Sequence, residues 1–335
     1  MSKPVVISTF SGCGGSSLGL TRAGFEVRVA CEFMPKAAET YRANAPGVIV
    51  VEKDIREMTG EELLKIAGVK RGELDLFEGS PPCASFSRAA THGHKLWGTV
   101  KKYSAGKQRT DDLFFEFLRV AKDINPRAML MENVKGLTQG RAKVYMHAFI
   151  REMMEMGYRV DARVYNAARY GVPQNRERLI FVCLRNDVKG EYVPPEPIPR
   201  TTLREAWAGV PSPSCDEEQG GNYGPGTKLG VLARVTREGE SMERSHERMF
   251  GNESAYSHMR LHMDRQAPTM TAVAQCIHPK EDRIISIPEL RRVCGFPDDF
   301  KLTGSAADRF ERLGRAVPPP LYERIGRSIL KALSQ

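Results

Sequence analysis

Along the first 190 residues, short apolar runs alternate with longer stretches in which apolar positions recur every three or four residues. An unbroken β-branched run is typical of a buried strand, and a period near 3.6 is typical of a helix. The pattern predicts strands at 4–10, 27–33, 48–55, 74–82 and 127–134. It predicts intervening helices at 16–25, 34–46, 60–68, 111–126 and 145–158. A strand pair at 159–171 and 176–187 follows.

Strands that alternate with helices indicate an α/β fold, with a sheet covered by helices on both faces. The pattern changes at the proline-rich stretch 191–202, which is typical of a linker. Residues 200–280 show little periodicity, and an α/β-like pattern returns at about 284. We therefore expect one domain from 1–195 with 284–335, and a smaller irregular domain at 196–283.

Composition and charge narrow the function classes. The 335-residue chain carries a net charge of +9, which suits a polyanionic partner such as nucleic acid but does not identify one. No apolar stretch approaches the roughly 18 to 20 residues that span a bilayer, and no signal peptide is recognisable. We expect a cytoplasmic protein without a membrane partner. The seven cysteines form no Cys-x-x-Cys pair, so we expect neither a metal site nor a disulfide framework.

A glycine-rich turn follows the first predicted strand, in the sequence TFSGCGGSSLGL. Gly12 and Gly14 allow the backbone to approach a ligand, and the start of the next helix offers unpaired N–H groups. The second strand ends at Glu32, where a carboxylate can bind ribose hydroxyls, and the third ends at Asp54. Ser17 stands where a dinucleotide fingerprint has its third glycine. The set predicts a site for a nucleoside-containing cofactor, and a tight turn without a ligand is the alternative.

Two more predicted strands end in residues that can do chemistry. Cys83 follows Pro81 and Pro82 after the fourth strand, and Glu132 with Asn133 ends the fifth. Open α/β sheets place their sites at the carboxyl ends of parallel strands. A rigidly held cysteine there can be a nucleophile, and a carboxyl group beside it can be a general acid. Alone, Cys83 would be taken for a structural cysteine.

Two arginines stand near the start of the last predicted strand of this region. Arg176 and Arg178 alternate with Glu177, so we expect the two side chains to share one face. Alternatively, these charged residues have no role in a site and simply mark the start of the strand. That alternative is disfavoured because other candidate site residues converge on the same edge of the sheet.

Taken in chain order, these motifs resemble those of the DNA cytosine-5 methyltransferases over most of the chain. The matching pieces are the loop 10–15, Glu32, Asp54, Pro81-Pro82-Cys83, Glu132-Asn133-Val134, Gln174-x-Arg176-x-Arg178, 283–289, Gly295-Phe296-Pro297 and Ala316-Val317-Pro318. The resemblance implies a Rossmann-like sheet of the S-adenosylmethionine-dependent methyltransferases, with helices on both faces. It also implies that 196–283 is a small target-recognition domain that binds double-stranded DNA, and we expect a monomer. The default role for an arginine in that domain is a phosphate contact.

The resemblance implies a mechanism as well. The target cytosine leaves the duplex stack, at a cost of a few kcal/mol. Cys83 attacks C6, Glu132 holds or protonates N3, and Arg178 with Arg176 stabilises the activated base. C5 then accepts an alkyl group from a sulfonium donor, and loss of the C5 proton and of the cysteine restores the aromatic ring.

The resemblance also implies the contacts of the donor. Phe10 packs on the adenine, Glu32 binds the ribose, Asp54 binds the adenine amino group, and Leu113 lies near the adenine. The full set of implied donor contacts is Phe10, Gly12, Gly14, Glu32, Phe33, Asp54, Ile55, Pro82, Leu113, Arg315, Ala316 and Val317.

The chain departs from the family pattern near Cys83. Ala84 follows the cysteine where the family commonly has glutamine, and the segment 84–109 is longer than compact members need. In the family this loop closes over the flipped base, so the insertion bears on loop closure and on DNA contacts.

A second departure is Arg315, which stands where the family's last motif usually has asparagine. This turn lines the donor pocket in the family, and the donor already carries a positive sulfonium. A guanidinium roughly 5 Å from that sulfur, at an effective dielectric constant near 20, would cost on the order of 3 kcal/mol.

Three interpretations of Arg315 remain open. The side chain turns outward to solvent or to a DNA phosphate, or it is neutralised by Glu32, another acid or the donor's carboxylate. In the third interpretation the donor is carboxy-S-adenosylmethionine, Arg315 binds the extra carboxylate in a bidentate fashion, and the product is 5-carboxymethylcytosine.

Two rival functions also stay open. One is an RNA cytosine methyltransferase, against which the long recognition region and the basic charge argue. The other is a catalytically silent DNA-binding relative, against which Cys83, Glu132 and Arg178 argue. Restriction–modification, disguise of phage DNA and gene regulation are all compatible with the sequence, in a bacterial cytoplasm or a phage-infected one.

Overall fold

The computed structural model describes residues 2–82, 100–103, 106–109, 112–140, 142–224, 226–253, 256, 258–273 and 276–335, with backbone alone at 100–103 and 106–109. The chain divides into two compact units. The first comprises Met1–Asn166, Glu177–Pro197 and Val317–Gln335. The second comprises Ala167–Arg176 and Ile198–Ala316.

The elements follow in chain order. The strands are β1 (Val5–Thr9), β2 (Glu26–Cys31), β3 (Ile49–Val51), β4 (Leu76–Gly79), β5 (Val100–Tyr103), β6 (Gly106–Arg109), β7 (Ala128–Val134), β8 (Tyr158–Asn166), β9 (Glu177–Arg185), β10 (Met259–Arg260) and β11 (Cys276–Ile277). The helices are α1 (Gly15–Ala23), α2 (Pro35–Asn44), α3 (Gly60–Ala67), α4 (Leu113–Ile124), α5 (Ala142–Glu155), α6 (Leu203–Ala206), α7 (Lys228–Val235), α8 (Met242–Phe250), α9 (Ile287–Val293), α10 (Ala306–Arg315) and α11 (Pro319–Leu333). Short 3₁₀ turns cover Ile55–Glu57, Lys135–Thr138, Ala167–Arg169 and Asp216–Glu218.

The first unit is built on a seven-stranded sheet in the order β3-β2-β1-β4-β7-β9-β8. Strands β1, β2, β3, β4 and β7 are parallel, and β9 runs antiparallel to both β7 and β8. The expected α/β fold and the expected strand pair after residue 158 are therefore confirmed. The carboxyl ends of β1, β2, β4 and β7 lie at one edge, which is where the predicted site residues follow.

Each face of the sheet carries helices. On one face Phe77 of β4 stacks on Phe117 of α4, with ring centroids 4.7 Å apart, inside a large apolar core. On the other face α1 and α11 are in close contact, since a Cβ at Gly19 would lie 2.5 Å from the carbonyl oxygen of Pro319. The last helix begins at Pro319 and buries Leu321, among others, on its apolar side.

The second unit has short elements and a small core made by Leu232, Ala233, Met242 and Ile277. It contains α6 to α10 and the two-residue strands β10 and β11. This unit holds 198–283, which is nearly all of the range 196–283 expected to be the target-recognition domain, and also 167–176 and 284–316. The functional assignment of 196–283 stays a prediction.

Buried arginines organise the second unit. The guanidinium of Arg260 donates hydrogen bonds to the carbonyl oxygens of Ala233, Thr236, His278 and Glu281 at 2.6 to 2.9 Å. Its default role as a phosphate contact is therefore corrected, because a guanidinium that is 5% exposed and bonded to backbone carbonyls belongs to the scaffold. In the part of the chain that the structure describes, no helix is long and apolar enough to cross a membrane.

Candidate active site

The turn after β1 has the backbone of a ligand-binding loop. Phe10, Gly12 and Gly14 have φ values of 52°, 54° and 94°, in the left-handed region. Gly14 precedes the first turn of α1, and a Cβ there would lie 3.0 Å from the ring of Tyr41. A Cβ at Gly12 would meet no described atom within 4 Å, so the outer side of the loop is open. The loop therefore needs its glycines and leaves space for a ligand beside its backbone.

Glu32 fixes this loop from the end of β2. Its carboxylate, which is buried, accepts hydrogen bonds from the backbone N–H of Gly12 at 2.7 Å and of Met34 at 2.8 Å. Phe33, which lies between Glu32 and Met34 in sequence, is half-buried. A carboxylate has about four acceptor positions, so a group that accepts from backbone N–H groups is of the type that can also accept from a hydroxyl group.

Asp54 begins the 3₁₀ turn after β3. It accepts hydrogen bonds from the backbone N–H of Arg56 at 3.1 Å and from the Arg56 guanidinium at 3.0 Å. Arg56 also binds Asp112 at 2.5 Å, and Asp112 directly precedes α4. The sequence carried no signal for this pairing. Ile55 and Leu113 flank the network and lie in the same buried apolar core.

The end of β7 is tied to the segment that leads to Cys83. The Asn133 side-chain amide donates to the Pro81 carbonyl oxygen at 3.5 Å, and its oxygen accepts from the N–H of Val134 at 2.8 Å. Pro81 is buried and Pro82 is half-buried. Cys83 and Ala84 lie outside the described residues, as does most of the long segment after them. The described part therefore fixes the approach to Cys83 beside the strand that carries Glu132.

Glu132 and Arg178 form an ion pair in the first unit. The Nε atom of Arg178 lies 2.6 Å from Oε1 of Glu132, and the two side chains are 14% and 13% exposed. The register explains the contact, because Val134 pairs with Arg178 and Glu132 pairs with Ile180, which puts both side chains on one face. This geometry orients the carboxyl group and keeps a cation beside it.

Arg176 is placed differently from Arg178. It lies before β9, which begins at Glu177, so the two arginines do not alternate along one strand as expected. In the second unit its buried guanidinium donates to the carbonyl oxygens of Met270 and Gly314, both at 3.0 Å, and of Arg315 at 3.4 Å. Its role in activating the base stays a prediction, and its hydrogen bonds to these carbonyl oxygens give it a structural role.

Arg315 is the last residue of α10. Its Nε atom lies 2.9 Å from Oε1 of Glu311, and its side chain is 50% exposed. Among the three interpretations, pairing with an acid is the one that matches this contact. A cation in the last turn of a helix, four residues after a glutamate, is favourable by about 0.3 to 0.5 kcal/mol. Ala316 ends the second unit, and the buried Val317 begins the last segment of the first.

One buried acid lies beside these residues and was missed by the sequence reasoning. Glu78 of β4 is fully buried, and its Oε2 accepts a hydrogen bond from the Ser8 hydroxyl at 2.5 Å. Burial raises the pKa of this carboxyl group to about 8. A glutamate inside the apolar run LDLFEG was the available signal. Among the described residues, no group of His, Cys, Asp and Glu is arranged to hold a metal ion.

Comparisons with known proteins identify the family of the chain. A model of the C-5 cytosine-specific DNA methylase family matches residues 5–331. The type II methyltransferase M.XorII of Xanthomonas oryzae pv. oryzae is 30% identical over 390 residues, covering 99% of this chain and 86% of the relative. The type II methyltransferase M.FnuDI of Fusobacterium nucleatum is 32% identical over 360 residues, covering 98% and 95%.

Solved structures share the fold. A candidate DNA modification methyltransferase encoded within a prophage (E. coli) has a TM-score of 0.78 at 22% identity, with 99% of this chain and 100% of that chain covered. The DNMT2 of Spodoptera frugiperda has a TM-score of 0.69 at 17% identity, with 99% and 100% covered.

Proposed function

The chain belongs to the C-5 cytosine-specific DNA methylase family, and from that premise we propose that it transfers a methyl group to C5 of a cytosine in double-stranded DNA. S-adenosylmethionine is the proposed donor. The observation that carries the proposal is the Glu132–Arg178 pair, which the Asn133–Pro81 contact links to the approach to Cys83. The relatives are named type II methyltransferases, so restriction–modification is the context that we propose.

The residues around the first turn fit the donor. The open outer side of the loop at Gly12 would leave space for the donor, and Glu32 would bind the donor's ribose hydroxyls. Phe10 and Leu113 are assigned to the adenine on the family's pattern, and Phe33 and Ile55 are assigned to donor contacts. When bound, S-adenosylmethionine supplies a methyl group on a positively charged sulfur, which is an electrophile for C5.

Asp54 and the last motif complete the proposed donor site. Asp54 is assigned to the adenine amino group, and the Arg56 guanidinium beside it would hold its carboxylate in place. Pro82, Ala316 and Val317 are assigned to donor contacts on the family's pattern alone.

The chain's own residues would act on the cytosine. The Cys83 thiolate forms a bond to C6, and Glu132 holds a proton at N3, so that electron density moves to C5. Arg178 orients Glu132 and stabilises charge on the activated base. After C5 is alkylated it loses its proton, the sulfur–C6 bond breaks, and the aromatic ring returns. We assign to 196–283 the reading of the DNA sequence around the flipped base.

Arg315 leaves a second candidate for the donor. A carboxylated donor would give 5-carboxymethylcytosine if the guanidinium bound the extra carboxylate. The ion pair with Glu311 supports the methyl donor instead, because a neutralised arginine on a helix end does not oppose a sulfonium in the way a bare one does.

Covalent trapping tests the proposed function. Duplex DNA with 5-fluorocytosine, incubated with protein and S-adenosylmethionine, should give a denaturant-resistant adduct, because fluorine cannot leave C5 as a proton does. Cys83→Ala should give none, and Glu132→Gln should form it about 10² to 10⁴ times more slowly. Glu57→Gln, on an exposed side chain, is the matched control.

Two results would contradict the proposal. Binding of DNA without any adduct would identify a catalytically silent relative. An adduct formed on 5-fluorocytosine RNA and not on duplex DNA would identify an RNA methyltransferase.

A further inference from the structure

A carboxyl group that the proposed mechanism does not use lies inside the first unit. Glu78 is on β4 and is fully buried. Ser80, Pro81 and Pro82 follow β4 and lead to Cys83. In the register of β1 and β4, Ser8 stands beside Glu78, so the two side chains share a face of the sheet. That face is the one that α1 and α11 cover.

On one side Glu78 connects to the turn that we assign to the donor. Ser8 donates from its hydroxyl to Oε2 of Glu78 at 2.5 Å, and the same hydroxyl lies 3.0 Å from that of Ser11. Ser11 stands between Phe10 and Gly12, and its hydroxyl also lies 3.3 Å from the carbonyl oxygen of Cys31. A short, buried chain of hydroxyl groups therefore runs from Glu78 to the backbone of the turn.

On the other side Glu78 faces the catalytic strand. Glu78 pairs with Leu130 in the register of β4 and β7, so Glu132 lies two residues further along on the same face. Tyr322 of α11 is fully buried near both acids, whose negative charges add to burial in raising the pKa of its hydroxyl. Ser80 also lies close to that hydroxyl. The Tyr322 hydroxyl is thus close enough to both acids for their charges to act on it.

This layer contains polar atoms whose hydrogen bonding is incomplete. Among the described residues, Oε1 of Glu78 and the hydroxyl groups of Ser17, Tyr41 and Tyr322 are buried without a hydrogen bond of good geometry. Hydroxyl groups do lie nearby, with Ser17 beside Tyr41, Ser16 beside Glu78 and Ser80 beside Tyr322. Buried polar atoms are rarely left unsatisfied, and a group of them commonly encloses ordered water. A protonated Glu78 could donate from Oε1 into this group, which an ionised one could not.

Glu78 is the group of this layer that changes charge near neutral pH. Burial raises its pKa to about 8, hydrogen bonds from Ser8 and Ser16 lower it, and the charge of Glu132 raises it. Its titratable neighbours from the surrounding elements are Tyr41 of α2, Glu132 of β7 and Tyr322 of α11. Cys31 of β2 lies near Tyr41, and Arg178 of β9 is paired with Glu132. Burial raises the pKa of the cysteine and of both tyrosines, so these three stay neutral where Glu78 titrates.

We propose that Glu78 is a positioning residue for the transfer reaction, whose protonated carboxyl group accepts from Ser8, beneath the donor turn, and donates from Oε1 into the buried polar layer that contains Tyr322, near Glu132. This inference rests on the proposed function. Ionisation of Glu78 removes the proton that the link donates and places a negative charge next to Glu132. Glu78 touches neither the donor nor the base, and it acts through Ser8 and Tyr322.

The pH dependence of the transfer tests this link. For the wild-type protein, kcat with saturating donor and DNA should fall about tenfold per pH unit above pH 8 or so. Glu78→Gln resembles the protonated form, so the kcat of this variant should not fall over the same pH range. The matched control, Glu57→Gln, should follow the wild type. An alkaline fall that is the same in Glu78→Gln and the wild type would overturn the proposal.

Infrared spectroscopy of the whole protein gives a readout that does not depend on turnover. The difference between wild type and Glu78→Gln should contain the carbonyl band of a protonated acid at neutral pH, which disappears as the pH rises and shifts when S-adenosylmethionine binds. Absence of the band, or a band that does not shift when the donor binds, would overturn the proposed link. If the wild type makes no methylcytosine but shows the band and its shift, the proposed function fails and the link does not.

Discussion

Each of the two units is stabilised internally by a different kind of interaction. The first has a seven-stranded sheet with a large apolar core, and most of its buried polar side chains lie at or beneath the strand edge of the candidate site. The second has short helices, two-residue strands and a small core, and buried guanidinium groups tie its segments together. Arg291, for example, binds Glu218 at 2.8 Å and donates to the carbonyl oxygen of Asp298 at 2.7 Å.

The difference changes how the net charge of +9 should be understood. Several arginines of the second unit are nearly inaccessible to solvent, namely Arg176, Arg260, Arg291 and Arg312. Guanidinium groups bonded to backbone carbonyls stabilise the scaffold and are not available to a DNA phosphate. Exposed cations, and not the total charge, are therefore the candidates for DNA contacts.

The largest expected effect is on the second unit alone. Arg260→Met keeps the apolar stem but leaves several carbonyl oxygens without their donor, which should cost on the order of 4 kcal/mol. Hydrogen exchange should accelerate in peptides of the second unit and not in those of the first. Arg204→Met, on a side chain 59% exposed, is the control and should change stability by less than about 0.5 kcal/mol. Equal acceleration in both units would remove the distinction drawn between them.

The next effect belongs to the first unit and depends on pH. Glu78 has a pKa near 8 in the folded protein and an ordinary value of 4.5 in the unfolded chain. Between these values the unfolded chain loses the proton first, so stability falls as the pH rises, by on the order of 3 kcal/mol at pH 7. Below pH 4.5 the two states are equally protonated and no difference remains.

Denaturant unfolding at several pH values measures this effect. The stability of Glu78→Gln relative to wild type should increase from about pH 5 to about pH 8 and then level off. A difference that does not vary with pH would mean that Glu78 is ionised in the folded protein.

A smaller effect is expected on donor binding. Glu32→Gln replaces a carboxylate that accepts from Gly12 and Met34 with an amide whose NH₂ group cannot accept. The dissociation constant of S-adenosylmethionine should rise about 10- to 100-fold, equivalent to about 1.5 to 3 kcal/mol. Calorimetry measures it, with Glu26→Gln, 44% exposed on the same strand, as the control. An unchanged constant would show that the turn does not hold the donor.

The smallest effect is expected at Arg315. Arg315→Asn removes one exposed ion pair with Glu311 and a helix-end cation, so stability should fall by about 0.5 kcal/mol or less. The preference between S-adenosylmethionine and its carboxy analogue should not change, as competition between the two donors would reveal. A switch of preference would restore the carboxymethyl interpretation.

The sequence predicted the first unit well because its signals are local. A strand, a glycine turn and a helix are contiguous, and the positions of Glu32 and Glu132 follow from where strands end. Contacts made across the fold have no such pattern. The pairing of Arg56 with Asp112 and the burial of Arg176 depend on segments distant in sequence.

Mass spectrometry of nucleosides from treated duplex DNA tests the central claim most directly. Purified protein would be incubated with S-adenosylmethionine in one tube and with carboxy-S-adenosylmethionine in another, and Cys83→Ala would serve as the control. The account predicts 5-methylcytosine in the first tube, none with the variant, and little modified cytosine in the second tube. Absence of 5-methylcytosine, or dominance of 5-carboxymethylcytosine, would contradict it.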